Sequence, residues 1–161
     1  MDEQKEQIRE RVWDDLEASG VARFPYPPHG RIPNVAGAAR AADRLAATDA
    51  WASADVVKAN PDAPQLPVRR AALRAGKRLY AAVPRLREPE PFLRLDPARI
   101  DDVDAATTVS GIGEAGLPVA PADVEPGDLI VSGSGAGDDR GARVGQGGGH
   151  RDLAFALLAA V

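Results

Sequence analysis

The sequence predicts an α/β fold built on a largely parallel sheet, and three observations carry that prediction. Helix-like apolar periodicity alternates with short apolar runs that are bounded by glycine or proline. The chain has 161 residues and is 44% hydrophobic, which is enough to bury a core of its own. Neither an internal repeat nor a long linker divides the sequence, so residues 1–161 are predicted to form a single domain.

The predicted elements follow the order that this fold requires. The first helix covers about residues 3–19, where Ile8, Val12 and Leu16 recur every four positions. Four prolines between residues 24 and 34 predict a rigid, extended segment after it. The remaining predicted elements are a helix over 35–54, a strand over 54–62, a helix over 67–77, strands over 78–86 and 128–134, and a last helix over 152–160.

Composition excludes several classes of protein. The net charge of -4 and the isoelectric point near 5.2 give no basic field, so nucleic acid is not an expected partner. Zero cysteines exclude disulfides and thiolate metal sites. The charged N-terminus does not resemble a signal peptide, and the longest apolar run, over 153–161, is too short to span a bilayer. The sequence therefore predicts a cytoplasmic protein without a membrane anchor.

A glycine-rich region lies between the last predicted strand and the last predicted helix. Eight of the 16 glycines fall between Gly133 and Gly149. The order strand, glycine loop, helix lets backbone N–H groups and a helix N-terminus hold an anion. The loop is neither a Walker loop nor a regular GxGxxG motif, and a flexible turn is an equal alternative from the residues alone.

Charged residues near these elements allow two interpretations each. Lys5 and Arg9 share one face of the first helix, either as a solvated surface or as anion ligands. Asp152 begins the last helix, where it is an N-terminal cap or, beside a phosphate, a magnesium ligand. The basic residues Arg69, Arg70, Arg74 and Lys77 are assigned to the charged outer face of a helix. The histidines, His29 and His150, are not predicted to bind a metal.

Several blocks of the sequence together resemble a known family. The segments "KEQIRERVWDDLEASGVARFP", "GRIPNVAGAARAADRL", "VVKANPDAPQLPVRRAAL", "GKRLYAAVPRL", "DLIVSGS" and "RVGQGGGHRDL" are similar, in order and spacing, to the 5-formyltetrahydrofolate cyclo-ligase family. They look closest to its methenyltetrahydrofolate synthetase domain-containing branch, known from archaea and animals. The resemblance runs from Lys5 to about Leu158 and implies a three-layer, Rossmann-like fold of the cyclo-ligase type.

The resemblance also implies an activity. Members of this family cyclise 5-formyltetrahydrofolate to 5,10-methenyltetrahydrofolate with ATP and Mg²⁺, in one-carbon folate metabolism. The resemblance assigns nucleotide binding to two parts of the chain, the first helix and the glycine loop. The implied nucleotide ligands are Lys5, Arg9, Arg143, Gly145, Gln146, Gly147, Gly148, Gly149, His150 and Arg151, and the implied metal ligand is Asp152. A reduced folate is the implied small-molecule substrate.

Three departures from the family pattern bear on activity. Gln146 stands where the family loop carries a basic residue, and His150 stands where it carries tyrosine. The chain also ends at Val161, where relatives continue into further strands, which predicts a domain that is truncated at its C-terminus. An unpaired sheet edge would then invite self-association. The alternative to an active ligase is a non-catalytic relative that binds nucleotide, folate or a protein partner.

Overall fold

The computed structural model describes residues 2–82 and 89–147. Their elements are, in chain order, α1 (Asp2–Ala18), β1 (Ala22–Arg23), β2 (Asn34–Val35), α2 (Ala38–Ala46), α3 (Asp49–Ser53), β3 (Val56–Ala59), α4 (Leu66–Arg74), β4 (Arg78–Ala82), β5 (Phe92–Leu95), α5 (Val103–Ala106), α6 (Val109–Ala115), β6 (Leu117–Val119), β7 (Leu129–Val131), β8 (Ala136–Gly137) and β9 (Arg143–Val144). Three short 3-10 turns lie among them, one of which, Ala63–Gln65, follows β3. The predicted helix over 152–160 lies outside the described residues.

A five-stranded sheet forms the centre, with the strand order β6-β5-β4-β3-β7. Strand β3 pairs in parallel with both β4 and β7, whereas β5 runs antiparallel to β4 and to β6. The sheet is therefore mixed but largely parallel, and the predicted α/β class is confirmed. All four residues of β3 are buried, as a parallel strand covered on both faces requires.

Two apolar clusters pack on the two faces of the sheet. Alternate residues of β3, β4 and β5 join helix residues such as Trp51, Leu73 and Ile112 in the larger cluster. The opposite face carries a smaller cluster of Val56, Tyr80, Phe92 and Val119. Because side chains of a strand alternate between faces, this division follows directly from the register.

Three sequence predictions differ from the structure. The helix predicted over 35–54 is two helices, because the Thr48 side chain accepts a hydrogen bond from Trp51 N at 3.2 Å and caps α3. Strands β5 and β6 were not predicted. On α1, the anchor is Trp13, which is 4% exposed and donates to Arg31 O at 3.2 Å, while Ile8, Val12 and Leu16 are only half-buried.

No helix among residues 2–82 and 89–147 is long and apolar enough to cross a membrane. In the described part of the sheet, β6 and β7 are the outer strands, and Leu117 and Ile130 are exposed on them. Self-association through such an edge remains a prediction.

Asp128 fixes the amino end of β7 against β3, and this contact predicts a pH dependence. Its Oδ2 accepts hydrogen bonds from Asp55 N at 2.9 Å and Val56 N at 3.0 Å. These bonds lower the pKa of the Asp128 carboxyl. A lowered pKa stabilises the fold above the unfolded-state value of about 3.9, and this contribution is lost as the pH falls through the folded-state value.

Asp128→Asn is therefore expected to lower the Tm at neutral pH, with a difference from the parent that narrows below about pH 4. Thermal unfolding at several pH values measures this difference. Asp101→Asn, at an exposed carboxyl outside this contact, is the matched control. A Tm difference for Asp128→Asn that is constant with pH would contradict the assigned role of the carboxylate.

Candidate functional site

The carboxyl ends of β3, β4 and β7 lie at one edge of the sheet, because these strands are parallel. In open α/β sheets, ligands bind in the crevice beyond this edge. The segments that leave it are Asn60 to Gln65 after β3 and the glycine-rich region after β7. These two segments therefore delimit the candidate site.

The glycine-rich region folds into a two-stranded ribbon. Strand β8 pairs antiparallel with β9, and Gly135 N donates to Val144 O at 2.8 Å. Arg143, on β9, folds back toward the end of β7: its Nε donates to Ser134 Oγ at 3.0 Å and its Nη2 to Gly133 O at 3.3 Å. The ribbon thus carries the chain from the end of β7 to the predicted anion loop.

Arg9 of α1 contacts the start of that loop. Its Nε donates to Gly145 O at 2.8 Å, across 136 positions of the sequence. Gly147 has φ +103°, a conformation that favours glycine, and a Cβ added there would lie 3.6 Å from Arg9 Cζ. The guanidinium therefore lies against the backbone of the glycine loop.

The charge environment of Arg9 includes one acid. Arg9 Nη1 pairs with Glu6 Oε2 at 2.6 Å, and the Arg9 side chain is 12% exposed. Glu6 is mostly exposed, so the pair is screened by solvent and orients the guanidinium more than it stabilises the fold. Lys5 is exposed one turn earlier on α1, and Gln146 is exposed between the two described loop glycines. The Arg9 guanidinium thus lies against the loop backbone, with Lys5 exposed one turn earlier on the same helix.

The sequence-predicted residues fall into two groups. Lys5, Arg9, Arg143, Gly145, Gln146 and Gly147 lie in the described chain, and the contacts of Arg9 join the first helix to the loop. The other predicted residues, Gly148, Gly149, His150, Arg151 and Asp152, lie outside the described residues. The predicted roles in binding nucleotide and magnesium therefore rest on the resemblance and stay predictions.

Sequence reasoning missed a buried polar cluster at the end of β3. Lys58 lies within β3, is 6% exposed, and donates from Nζ to Asn60 Oδ1 at 2.6 Å. Asn60 N donates to Gln65 Oε1 at 2.8 Å. Polar residues directly after a buried strand were the available signal, because that is where the carboxyl edge of a parallel sheet begins.

The assignment of Arg69 and Lys77 to the charged outer face of a helix is wrong. Lys77, just after α4, is buried and donates from Nζ to Ala54 O at 2.6 Å. Arg69 is 1% exposed, and its guanidinium donates to three main-chain carbonyls. Arg70 and Arg74 are on the outer face as predicted, where both pair with Asp104. Arg69 differs from Arg70 and Arg74 because it precedes the buried Ala72 and Leu73 by three and four positions. This spacing places it on the inward side of α4.

His29 lies beside two carboxylates of α1. Its Nε2 is 2.8 Å from Asp14 Oδ1, and ligand atoms of Glu10, Asp14 and His29 all lie within 4.8 Å of one another. The His29 ring also packs against Trp13 at a centroid distance of 5.6 Å. The His29–Asp14 hydrogen bond accounts for this approach at an exposed surface.

Comparison with known proteins decides the family. A family model described as "5-formyltetrahydrofolate cyclo-ligase family" matches residues 1–161. The chain belongs to this family. The cyclo-ligase resemblance inferred from the sequence is thereby confirmed, and the central sheet agrees with it. No solved structure matches the chain significantly.

Curated relatives of this cyclo-ligase family member carry the name methenyltetrahydrofolate synthase domain-containing protein. Identity is 39% over 160 residues for the Danio rerio protein, 40% over 157 residues for the Mus musculus protein and 34% over 157 residues for the Homo sapiens protein. These matches cover 98%, 96% and 96% of this chain but 42%, 42% and 41% of the relatives. The chain therefore spans about two-fifths of the length of these relatives.

Proposed function

We propose that this protein is an ATP- and Mg²⁺-dependent 5-formyltetrahydrofolate cyclo-ligase of one-carbon folate metabolism in the cytoplasm. The observation that carries the proposal is the contact of Arg9 with Gly145 and Gly147, in a chain that belongs to the cyclo-ligase family. An arginine held against a glycine loop can supply positive charge to an anion, and the N–H groups of the loop can supply backbone donors to it. A triphosphate is such an anion.

The proposed reaction has two steps. The formyl oxygen of 5-formyltetrahydrofolate takes the γ-phosphoryl group of ATP, which releases ADP. The folate N10 then attacks the activated formyl carbon, the N10 proton is released, and phosphate leaves with the former formyl oxygen. The product is 5,10-methenyltetrahydrofolate. Phosphoryl transfer of this kind needs positioning and charge stabilisation more than covalent chemistry from the protein.

The residues of this chain divide those tasks between the two sides of the candidate site. Arg9 and Lys5 are assigned to the phosphates, with Arg143 and residues 145–151 as the surrounding loop. The segment from Asn60 to Gln65, at the end of β3, is assigned to the folate because it borders the same edge of the sheet. Mg²⁺, when bound with ATP, would neutralise phosphate charge, and Asp152 is its proposed protein ligand.

The test is conversion of 5-formyltetrahydrofolate by the purified chain. With Mg-ATP, we expect the ultraviolet absorbance of the methenyl product to rise while ADP forms in equal amount. Reactions without ATP or without the folate are the controls. Absence of product together with absence of Mg-ATP binding would contradict the proposal.

Gln146 favours a second candidate, a relative that binds nucleotide or folate without turnover. The family pattern implies a basic residue at this exposed loop position, and glutamine cannot supply its charge. Saturable Mg-ATP binding without any product in the conversion assay would support this candidate over the ligase. A protein partner would then be the other expected ligand.

Placing a positive charge at position 146, as in the family pattern, gives a prediction for the glycine loop. A charged hydrogen bond contributes about 1.5–3 kcal/mol against about 1 for a neutral one, so Gln146→Lys is expected to tighten Mg-ATP binding about tenfold. Isothermal titration measures the change. Glu114→Gln, which alters the net charge equally at an exposed position of α6, is the control. Equal affinity of Gln146→Lys and the parent would remove this position from the nucleotide site.

A further inference from the structure

Two side chains hold the turn that follows β3. Arg69 of α4 donates from Nη1 to Asn60 O at 2.6 Å and to Asp62 O at 2.7 Å, and from Nε to Thr107 O at 3.0 Å. Gln65 accepts from Asn60 N at 2.8 Å. Asn60 is thus held at both its N–H and its carbonyl, which fixes the direction in which the chain leaves the sheet.

The contacts of Arg69 are unusual for an arginine. The residue is 1% exposed, and it donates to main-chain carbonyls of two separate segments, the turn after β3 and the α5–α6 junction at Thr107, with the charge of Asp62 nearby. Burial lowers the pKa of Arg69 to about 10, so the guanidinium stays charged at neutral pH. Burying a charge costs free energy, so if this position needed only apolar packing against the core, leucine or methionine would serve better than arginine. Nη1 donates to both carbonyls of the turn while Nε donates to Thr107 O, so one planar guanidinium joins the turn to the α5–α6 junction, which an apolar side chain cannot do.

The turn that Arg69 and Gln65 hold lies at the edge of the sheet where ligands of open α/β folds bind. Asn60 and Asp62 leave the carboxyl end of β3, the strand that lies between β4 and β7 in the sheet. Strand β2 lies against the 3-10 turn Ala63–Gln65 that follows. We propose that Arg69 is a positioning residue, which holds Asn60–Asp62 in the conformation that binds the reduced folate without touching the folate itself. This proposal rests on the proposed function.

A purely structural role for Arg69 makes a different prediction. Lower stability alone would weaken every ligand equally, or none at temperatures well below the Tm. A positioning role weakens the ligand that contacts Asn60–Asp62 and spares the nucleotide, whose proposed ligands lie on α1 and the glycine loop. The ratio of the two affinities therefore separates the two roles.

The experiment compares Arg69→Lys, Gln65→Leu and the parent by calorimetric titration with 5-formyltetrahydrofolate and, separately, with Mg-ATP, well below the Tm of each protein. Lysine keeps the charge but has a single donor nitrogen, so it cannot replace both Nη1 at the turn and Nε at Thr107 O. Leu73→Ala is the matched control, because it removes core packing from the same helix without touching the turn. Amide hydrogen exchange of residues 60–65 reports the order of the turn directly.

We expect the folate Kd to rise about tenfold or more in Arg69→Lys and Gln65→Leu, with the Mg-ATP Kd within about twofold of the parent. Exchange in the turn should rise in both variants, and neither effect should appear in Leu73→Ala. Unchanged folate affinity in a variant whose turn exchanges faster would overturn the positioning role, as would equal weakening of both ligands. A parent protein that binds no folate would instead overturn the proposed function, on which the role depends.

Discussion

Arg69→Met is expected to lower the free energy of unfolding by about 3–5 kcal/mol, a large part of the stability of a domain of this size. Methionine fills much of the space of the arginine stem but leaves the carbonyls of Asn60, Asp62 and Thr107 without their buried donor. Each orphaned buried group costs about 1–3 kcal/mol, offset in part because no charge remains buried. Urea denaturation measures the change.

Arg74→Met is the control for that measurement. Arg74 lies on the same helix, but its side chain is 58% exposed and pairs with Asp104 at the surface. Exposed ion pairs contribute about 0–1 kcal/mol, so this variant should remain close to the parent. An equal loss of stability in the two variants would show that the carbonyl contacts of Arg69 do not stabilise the fold.

Arg9→Ala is expected to raise the Kd for Mg-ATP by about 10- to 100-fold. The estimate follows from the loss of a charge-assisted hydrogen bond of about 1.5–3 kcal/mol, since about 1.4 kcal/mol corresponds to a tenfold change. The variant also removes the donor to Gly145 O and the surface against which Gly147 lies. Isothermal titration with Mg-ATP gives the Kd directly.

Arg11→Ala is the matched control, because Arg11 is an exposed arginine on the same helix. It changes the net charge equally and should leave the Kd within about twofold of the parent. Lys5→Ala should raise the Kd less than Arg9→Ala, since Lys5 is more exposed. If Arg9→Ala and Arg11→Ala bind Mg-ATP equally well, Arg9 does not bind the phosphates.

The sequence predicted the parts of the fold that rest on periodicity. Helices α1 and α4 and strands β3, β4 and β7 follow from apolar spacing with glycine or proline at their ends. Strands β5 and β6 were not predicted because Arg94 interrupts the apolar residues of β5, and β6 contains Pro118, which normally argues against a strand. An outer strand tolerates proline because one side of it has no ladder partner in the described sheet.

The candidate site was predictable only in part. The family pattern predicted that Lys5 and Arg9 lie beside the glycine loop, and the hydrogen bond from Arg9 to Gly145 O agrees with this prediction for Arg9. The spacing of Lys5 and Arg9 alone could not distinguish a solvated helix face from a ligand face, because the loop partner lies 136 residues away. Tertiary contacts of this range are set by the sheet rather than by local pattern.

The inward position of Arg69, which donates to the turn after β3, was not predicted from the sequence. An arginine spaced three and four positions before Ala72 and Leu73 was a readable signal, yet charge made an outward position the default. Its acceptors are main-chain carbonyls, which no side-chain pattern encodes. The role of Arg69 therefore became visible only once the turn after β3 was placed against α4.

The central claim is that Arg9 and the glycine loop form one site for the phosphates of ATP, and the most direct measurement is the NMR signal of the Arg9 Nε–H group. Arg9→Ala identifies that signal by its loss. On titration with Mg-ATP, the signal is expected to shift saturably, with the same Kd as calorimetry, and to shift little with adenosine. An Arg9 signal that stays in place while calorimetry shows Mg-ATP saturating the protein would contradict the account.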